Sequence, residues 1–282
     1  MQDLNKPLTH GYQFNLNSYI KAGWELFKAH AGSFIGMSIL FFVILIIVGL
    51  IPLLGSLYSL LSTLLFAGFF VFCRNTQNQS QDTSDFFKGF HRAGQIILYQ
   101  IVYAVFLIPF FLLFFTFVIP FDALLQLINQ SISEEEFFSF AFEEISDRKG
   151  LIAISILTAL IGTIYLSVSY IFTLPLIVDT KLDFWQSMEL SRKVVGKKFF
   201  QIFISLLGLG IVFSLAMVIT CGLATLIAVP LGYTILFSAY DHIFEPYKDE
   251  FQSDLDAFGE KEKNINTESQ EKTDGEDDPT KS

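Results

Sequence analysis

The sequence predicts an all-α, polytopic membrane helical bundle, with six transmembrane helices and short interfacial helices. Three observations carry this expectation. Of the 282 residues, 52% are apolar, 33 are Phe and only 16% are charged, whereas soluble domains carry about 25% charged residues. The apolar residues fall into four tracts, 33–73, 95–121, 150–178 and 199–243. Each reaches or exceeds the roughly 20 residues needed to cross a hydrocarbon core about 30 Å thick. Basic residues, finally, crowd into alternate connections between the tracts.

The first and last tracts are about twice the required length, so each reads as a hairpin of two spans. Pro ends a helix and Gly permits a reversal, which places the first break at Ile51-Pro52-Leu53-Leu54-Gly55. The second falls near Thr220-Cys221-Gly222. The expected spans are 34–51, 55–73, 95–121, 151–178, 199–220 and 223–243. This divides the chain into an N-terminal segment with an interfacial helix (1–32), a six-span domain (33–243) and a tail (244–282). A cleaved signal peptide is not expected, because the first apolar run starts some 32 residues in and flows into a second span.

Cytoplasmic loops carry the excess of Lys and Arg. With six spans, the N-terminus, loop 74–94, loop 179–198 and the C-terminus share one side. Eleven bases lie there: Lys6, Lys21, Lys28, Arg74, Lys88, Arg92, Lys181, Arg192, Lys193, Lys197 and Lys198. Only Arg148 and Lys149 lie opposite, in loop 122–150. Both termini are therefore expected in the cytoplasm.

Three stretches on the basic side mix aromatic anchors with bases: 19–28, 86–92 and 184–193. That mixture suits short helices lying in the headgroup plane, although any cytoplasmic lead-in shares some of it. The third opens with Asp183 and Gln186, the spacing of a capping box. On the opposite side, Ser133 and Glu136 repeat that spacing. They head one amphipathic helix with Phe137, Ala141 and Ile145 on its apolar face. The acids of this loop read as a solvated face. Residues 245–282 hold 13 Asp/Glu against 5 Lys/Arg, so −8 of the chain's net −10 lies there. With little apolar area to bury, this tail is expected to be disordered.

A nucleic-acid-binding domain would need a basic face and is excluded. A disulfide scaffold is excluded too, since Cys73 and Cys221 are the only cysteines and each sits in an apolar run. The four histidines, His10, His30, His91 and His242, have no metal-ligand spacing. There is no Gly-x-Ser-x-Gly elbow, Walker loop or dinucleotide fingerprint. No catalytic, cofactor-binding or metal-ligating residue is therefore assigned, and no cofactor is expected.

Ionisable residues inside spans are costly and often functional, and here the span interiors hold none. Asp179 and Asp241 lie at span ends. Asp179 follows Leu174-Pro175-Leu176-Ile177-Val178. It reads as a gate or proton-coupled carboxylate beside a Pro-disrupted helix end, or as a structural carboxylate pairing with loop bases such as Lys181 or Arg192. Ser155, Ala159, Thr163 and Ser167 recur every four residues along the fourth span, a stripe that lets another helix approach closely. Ala216 and Thr220 begin a similar row, and Gly208 and Gly210 read as packing residues. In the loop before the fifth span, Phe184 and Trp185 precede Arg192, Lys193, Lys197 and Lys198. Rings at headgroup depth with bases nearby make these six the candidate lipid-headgroup contacts.

Phe86-Phe87-Lys88-Gly89-Phe90, the Leu174–Asp179 stretch and the run from Phe184 to Ser191-Arg192-Lys193 resemble a broad group of bacterial six-span integral membrane proteins. That group is similar to the membrane domain attached to some glycerophosphodiester phosphodiesterases. Gly222, Pro230 and Tyr240 match the Gly, Pro and Tyr of its final hairpin. The resemblance spans roughly residues 15–245. It implies the fold and a bacterial inner membrane but transfers no catalytic residues, because the phosphodiesterase barrel has no counterpart in these 282 residues.

The function expected from these features is non-enzymatic: a membrane scaffold or lipid-interacting module at the cytoplasmic leaflet. The alternative is a transporter or channel subunit for a small or amphiphilic solute. The expected partners are membrane lipids, with a protein partner or a second copy also open.

Overall fold

The computed structural model describes residues 11–51, 55–77, 89–118, 121–129 and 131–244. Six of its helices are long and apolar enough to cross a membrane, and the described residues contain no strand. The chain is an all-α polytopic membrane protein. The expected tail lies outside the described residues, as do 52–54 of the first hairpin break and 86–88 of the second interfacial stretch.

Helix α1 (Leu16–Ala29) precedes the first span and starts at Asn15, whose side chain accepts from the Ser18 N–H. The first hairpin is α2 (Ala31–Gly49) and α3 (Gly55–Gln77). A 3-10 turn (Gly89–Arg92) leads into α4 (Ala93–Val118), which carries Pro109 in its interior. Two short helices follow, α5 (Phe121–Ile128) and α6 (Glu134–Asp147). Loop 122–150 thus holds two helices where the sequence predicted one. The predicted one is α6, headed by Ser133: its N–H donates to Glu136 at 2.8 Å, and the Glu136 N–H donates back to Oγ at 3.3 Å.

The fourth span is broken. Helix α7 (Lys149–Ser169) ends in a turn at 170–172, and the seven-residue α8 (Thr173–Asp179) completes the crossing. Pro175 is the cause: it cannot donate to the carbonyl four residues back, and its ring crowds that carbonyl. Helix α9 (Phe184–Gly196) then opens with the predicted capping box of Asp183 and Gln186. The last hairpin is α10 (Phe199–Ile219) and α11 (Thr225–Phe244). It turns where predicted, with Cys221 at φ 51° and Gly222 at φ 91°.

Burial is concentrated at one end of the bundle. The core draws on the start of α2 (Phe34, Met37, Phe41), the end of α3 (Leu65, Phe69, Phe72) and the end of α11 (Phe237, Tyr240, Phe244). It also takes in Phe172 and Leu176 around the α7–α8 break, with Val194 and Val195 of α9. The far halves of the spans are apolar and exposed, as at Ile46, Leu112, Ile154 and Val218. A surface that faces lipid has no reason to be polar, and packing rather than water expulsion holds such helices together.

Close approach between spans α4 and α7 occurs at Gly162, where a Cβ would lie 2.3 Å from the Phe110 ring. Along the expected small-residue stripe, Ser155 is buried, Ala159 and Thr163 are half-buried and Ser167 is exposed. The Ser167 hydroxyl nevertheless lies 3.0 Å from the Tyr103 hydroxyl of α4, and Gly162 and Leu166 add buried positions to this face. Gly208 and Gly210 have no heavy atom within 4 Å of a built Cβ, so neither is the close-packing position the sequence suggested.

Candidate functional site

The packed end of the bundle brings together charged side chains from α3, α8 and α11, three helices far apart in sequence. The last turns of α3 and α11 alternate aromatic with polar residues. Phe70, Arg74 and Gln77 follow one face of α3, while Phe237, Tyr240 and Asp241 end α11. Helix α8 contributes Asp179 as its last residue.

Arg74 organises the cluster. Its Nε and Nη2 donate to the two carboxylate oxygens of Asp179, at 3.2 and 3.0 Å. Its Nη1 donates to Asp241 Oδ1 and, at 3.1 Å, to Gln77 Oε1. The Gln77 amide donates to Asp241 Oδ2 at 3.2 Å, and the Tyr240 hydroxyl donates to Asp179 Oδ2 at 3.0 Å. The guanidinium lies 4.8 Å from the Phe237 ring centroid. Arginine suits this position because its rigid fork grips a carboxylate bidentately and its flat face stacks on a ring.

Two further contacts hold α8. The Arg92 guanidinium donates from Nε to the Ile177 carbonyl at 3.1 Å and from Nη2 to the Leu182 carbonyl, satisfying acceptors at the C-terminal end of α8. At its other end the buried Ser191 hydroxyl donates to the Ser169 carbonyl at 2.8 Å and accepts from the Phe172 N–H at 3.3 Å. The broken span is thereby closed by a side chain from α9, since each orphaned backbone group would otherwise cost stability.

Two cavities flank the Arg74–Asp241 ion pair. One, of about 180 Å³, has Arg74, Asn75, Asp179 and Tyr240 on its polar wall and Phe70 and Phe237 on its apolar wall. The other, of about 210 Å³, is bordered by Gln77, Ser238, Asp241 and His242. What this arrangement can do is bind or gate a polar group between three helix ends. Among the described residues no three His, Cys, Asp or Glu gather as metal ligands.

The candidate headgroup residues separate into distinct environments. Phe184 is half-buried against the core, and its N–H donates to Gln95 Oε1 at 2.9 Å. Trp185 is exposed. Arg192 and Lys193 both pair with Glu189, at 2.8 and 3.2 Å, and the Arg192 hydrogen bond holds the Glu189 carboxyl below its usual range. Lys197 is exposed and Lys198 half-buried at the start of α10.

Asp179 does not pair with Arg192, which is committed to Glu189. Its partner is Arg74, a residue that counts in the sequence only as a loop charge. Sequence reasoning assigned no site role to Arg74, and Tyr240 and Ser191 entered it only as residues of the family resemblance. The available signal was one arginine ending a span in a protein where two other spans end in aspartate.

The family described as the membrane domain of glycerophosphoryl diester phosphodiesterase matches residues 57–244. The matched stretch begins in α3 and runs to the end of α11, so it contains the whole Arg74 cluster and excludes α1 and α2. No curated protein and no solved structure matches the chain significantly. With two thirds of its length covered and six spans in place, the chain belongs to the family of the membrane domain of glycerophosphoryl diester phosphodiesterase.

Proposed function

We propose that this multi-pass protein is a non-enzymatic scaffold or lipid-interacting module at the cytoplasmic leaflet of a bacterial inner membrane, with both termini cytoplasmic. The observation that carries this reading is the grouping of α1, α9 and the start of α10 at the packed end of the bundle. Trp24 and Trp185 stand 48% and 54% exposed there, beside the bases of the same connections. Indole rings favour the headgroup level, and bases near an anionic leaflet are attracted to its phosphates. Membrane lipids are then the primary ligands, with a protein partner or a second copy able to use the same surface.

Reporter fusions active only outside the cytoplasm test the orientation. Fusions within 122–150 should be active, and those at Lys28, Gln77 and Asp254 silent. Activity at Asp254 would overturn it. Lipid carried through purification tests the ligand class: co-purification of no phospholipid beyond that of an unrelated six-span control would remove the lipid reading.

A transporter or channel subunit for a small or amphiphilic solute is the second reading. The two cavities on either side of the Arg74–Asp241 pair favour it, because an ion pair between two polar spaces can open and close. Solute flux in proteoliposomes that rises with Asp241→Asn would support it over the scaffold.

A further inference from the structure

Helix α10 is loosely held. Of its 21 residues only Ile202 is buried. Between it and α11 lies an apolar cavity of about 230 Å³, with α1 and the α7–α8 break contributing to its wall. Protein interiors contain few voids larger than a water molecule. An engineered apolar cavity of about 150 Å³ stays dry and takes up benzene; this one is larger.

Its wall offers hydrocarbon and nothing for a polar solute. The two polar side chains on it are both engaged. The Ser205 hydroxyl donates to the Gln201 carbonyl at 2.7 Å, and the Tyr19 hydroxyl lies 3.0 Å from His242 Nδ1. Along α10 the lining runs from Ile202 through Leu206 and Leu209 to Phe213. At 1.5 Å per residue that is roughly 16 Å, close to half of the roughly 30 Å hydrocarbon thickness. The lining along α10 therefore runs for about the depth of one leaflet, which suits an acyl chain better than a compact solute.

Charge sits at its interfacial end. Lys198, Ile202, Ser205, Leu209 and Phe213 fall at the spacing of one helix face. Lys198 is the N-cap of α10, one turn before Ile202 at the end of the lining, which sets it at the interfacial end of the cavity. Among the described residues, no carboxylate pairs with Lys197 or Lys198, whereas Arg192 and Lys193 are committed to Glu189. The four bases of this loop are thus unequal, and the two nearest the cavity are the two available to an anion.

We propose that the cavity between α10 and α11 holds one acyl chain of an anionic phospholipid, with its phosphate bound by Lys198 and assisted by Lys197. This rests on the lipid-interacting reading above and assigns it a place and a ligand class. Gly210 lines the cavity, and a Cβ there meets nothing within 4 Å. A side chain at Gly210 therefore starts in open space at the cavity wall, and Gly210→Leu is the filling variant. Gly208 is equally open but lies off the lining, so Gly208→Leu is the matched control.

The full chain is reconstituted in vesicles of equal parts phosphatidylcholine and phosphatidylglycerol, re-extracted in mild detergent and weighed by native mass spectrometry. Wild type and Gly208→Leu should each retain one phosphatidylglycerol, and Gly210→Leu should lose it at unchanged thermal stability. Lys198→Gln should lower the preference for phosphatidylglycerol over phosphatidylcholine about fivefold. Equal retention by Gly210→Leu and wild type would overturn the cavity assignment while leaving the lipid reading intact. An unchanged preference in Lys198→Gln would overturn the anionic-headgroup assignment, and a wild-type protein that retains no lipid would remove both.

Discussion

The Arg74 guanidinium lies edge-on to the Asp179 carboxylate, with Nε 3.2 Å from one oxygen and Nη2 3.0 Å from the other. The two residues belong to the second and fourth spans and are 105 positions apart. Their side chains remain 20% and 19% exposed, so water screens the pair in part. Breaking it strands one charge beside Asp241 or the other beside Tyr240. Arg74→Gln or Asp179→Asn should each cost about 1–3 kcal/mol, below the roughly 3–5 of a fully buried pair. The double variant should cost less than the sum of the singles, by thermal unfolding in detergent. Additive losses would mean that the pair is not coupled.

Ser191 closes the break in the fourth span from a neighbouring helix. Ser191→Ala leaves the Ser169 carbonyl and the Phe172 N–H without their side-chain partner. The expected loss is on the order of 1 kcal/mol per group stranded away from water. Hydrogen exchange should show faster exchange confined to the amides around 170–173. Protection unchanged at Phe172 would show that water already reaches the break.

Gly162 sets how closely α4 and α7 approach. A side chain there meets the Phe110 ring, so Gly162→Leu should cost about 1–3 kcal/mol by overpacking. Gly162→Leu with Phe110→Ala should recover much of it, because the smaller residue vacates the space the new one needs. Failure of the second substitution to restore the melting temperature would place the close approach elsewhere.

Glu189 couples α9 to pH. Its carboxyl is held below the usual range by hydrogen bonds from Arg192 and, more weakly, Lys193. A carboxyl whose folded value is depressed contributes stability above its unfolded value near about 4.3. That contribution is lost as pH falls through the lower folded value. The pair is exposed, so the effect should be a few tenths of a kcal/mol. Glu189→Gln should remove that part of the acid-side loss in melting temperature while leaving the neutral-pH fold intact. An identical acid profile in both proteins would show that Glu189 gains nothing from folding.

The membrane nature of the chain, the number of spans and the position of the last hairpin turn were legible in the sequence because they depend on local quantities. A run of apolar residues long enough for the bilayer must be helical, since no water is available to satisfy its backbone. Gly222, at φ 91°, marks the reversal through its own backbone chemistry. The capping boxes at Ser133 and Asp183 were legible for the same reason: their hydrogen bonds close within three residues.

The tertiary structure alone decided which side chains meet. A lipid-facing helix is apolar all round, so periodicity does not reveal its packed face, and the close approach on α7 at Gly162 had no mark in the sequence. Charge counting treats Arg74 as one basic residue among eleven on its side, and its value of one is the same whether it meets solvent or Asp179. Likewise the sequence presents Arg192, Lys193, Lys197 and Lys198 as one basic run. The helix spacing of α9 already sets Glu189 one turn before the first two, whereas only the antiparallel return of α11 opens an apolar space beyond the last. Local chemistry determined that these helices form and where they end. The pairing of their ends depends on distances between residues more than 100 positions apart, which only the assembled bundle sets.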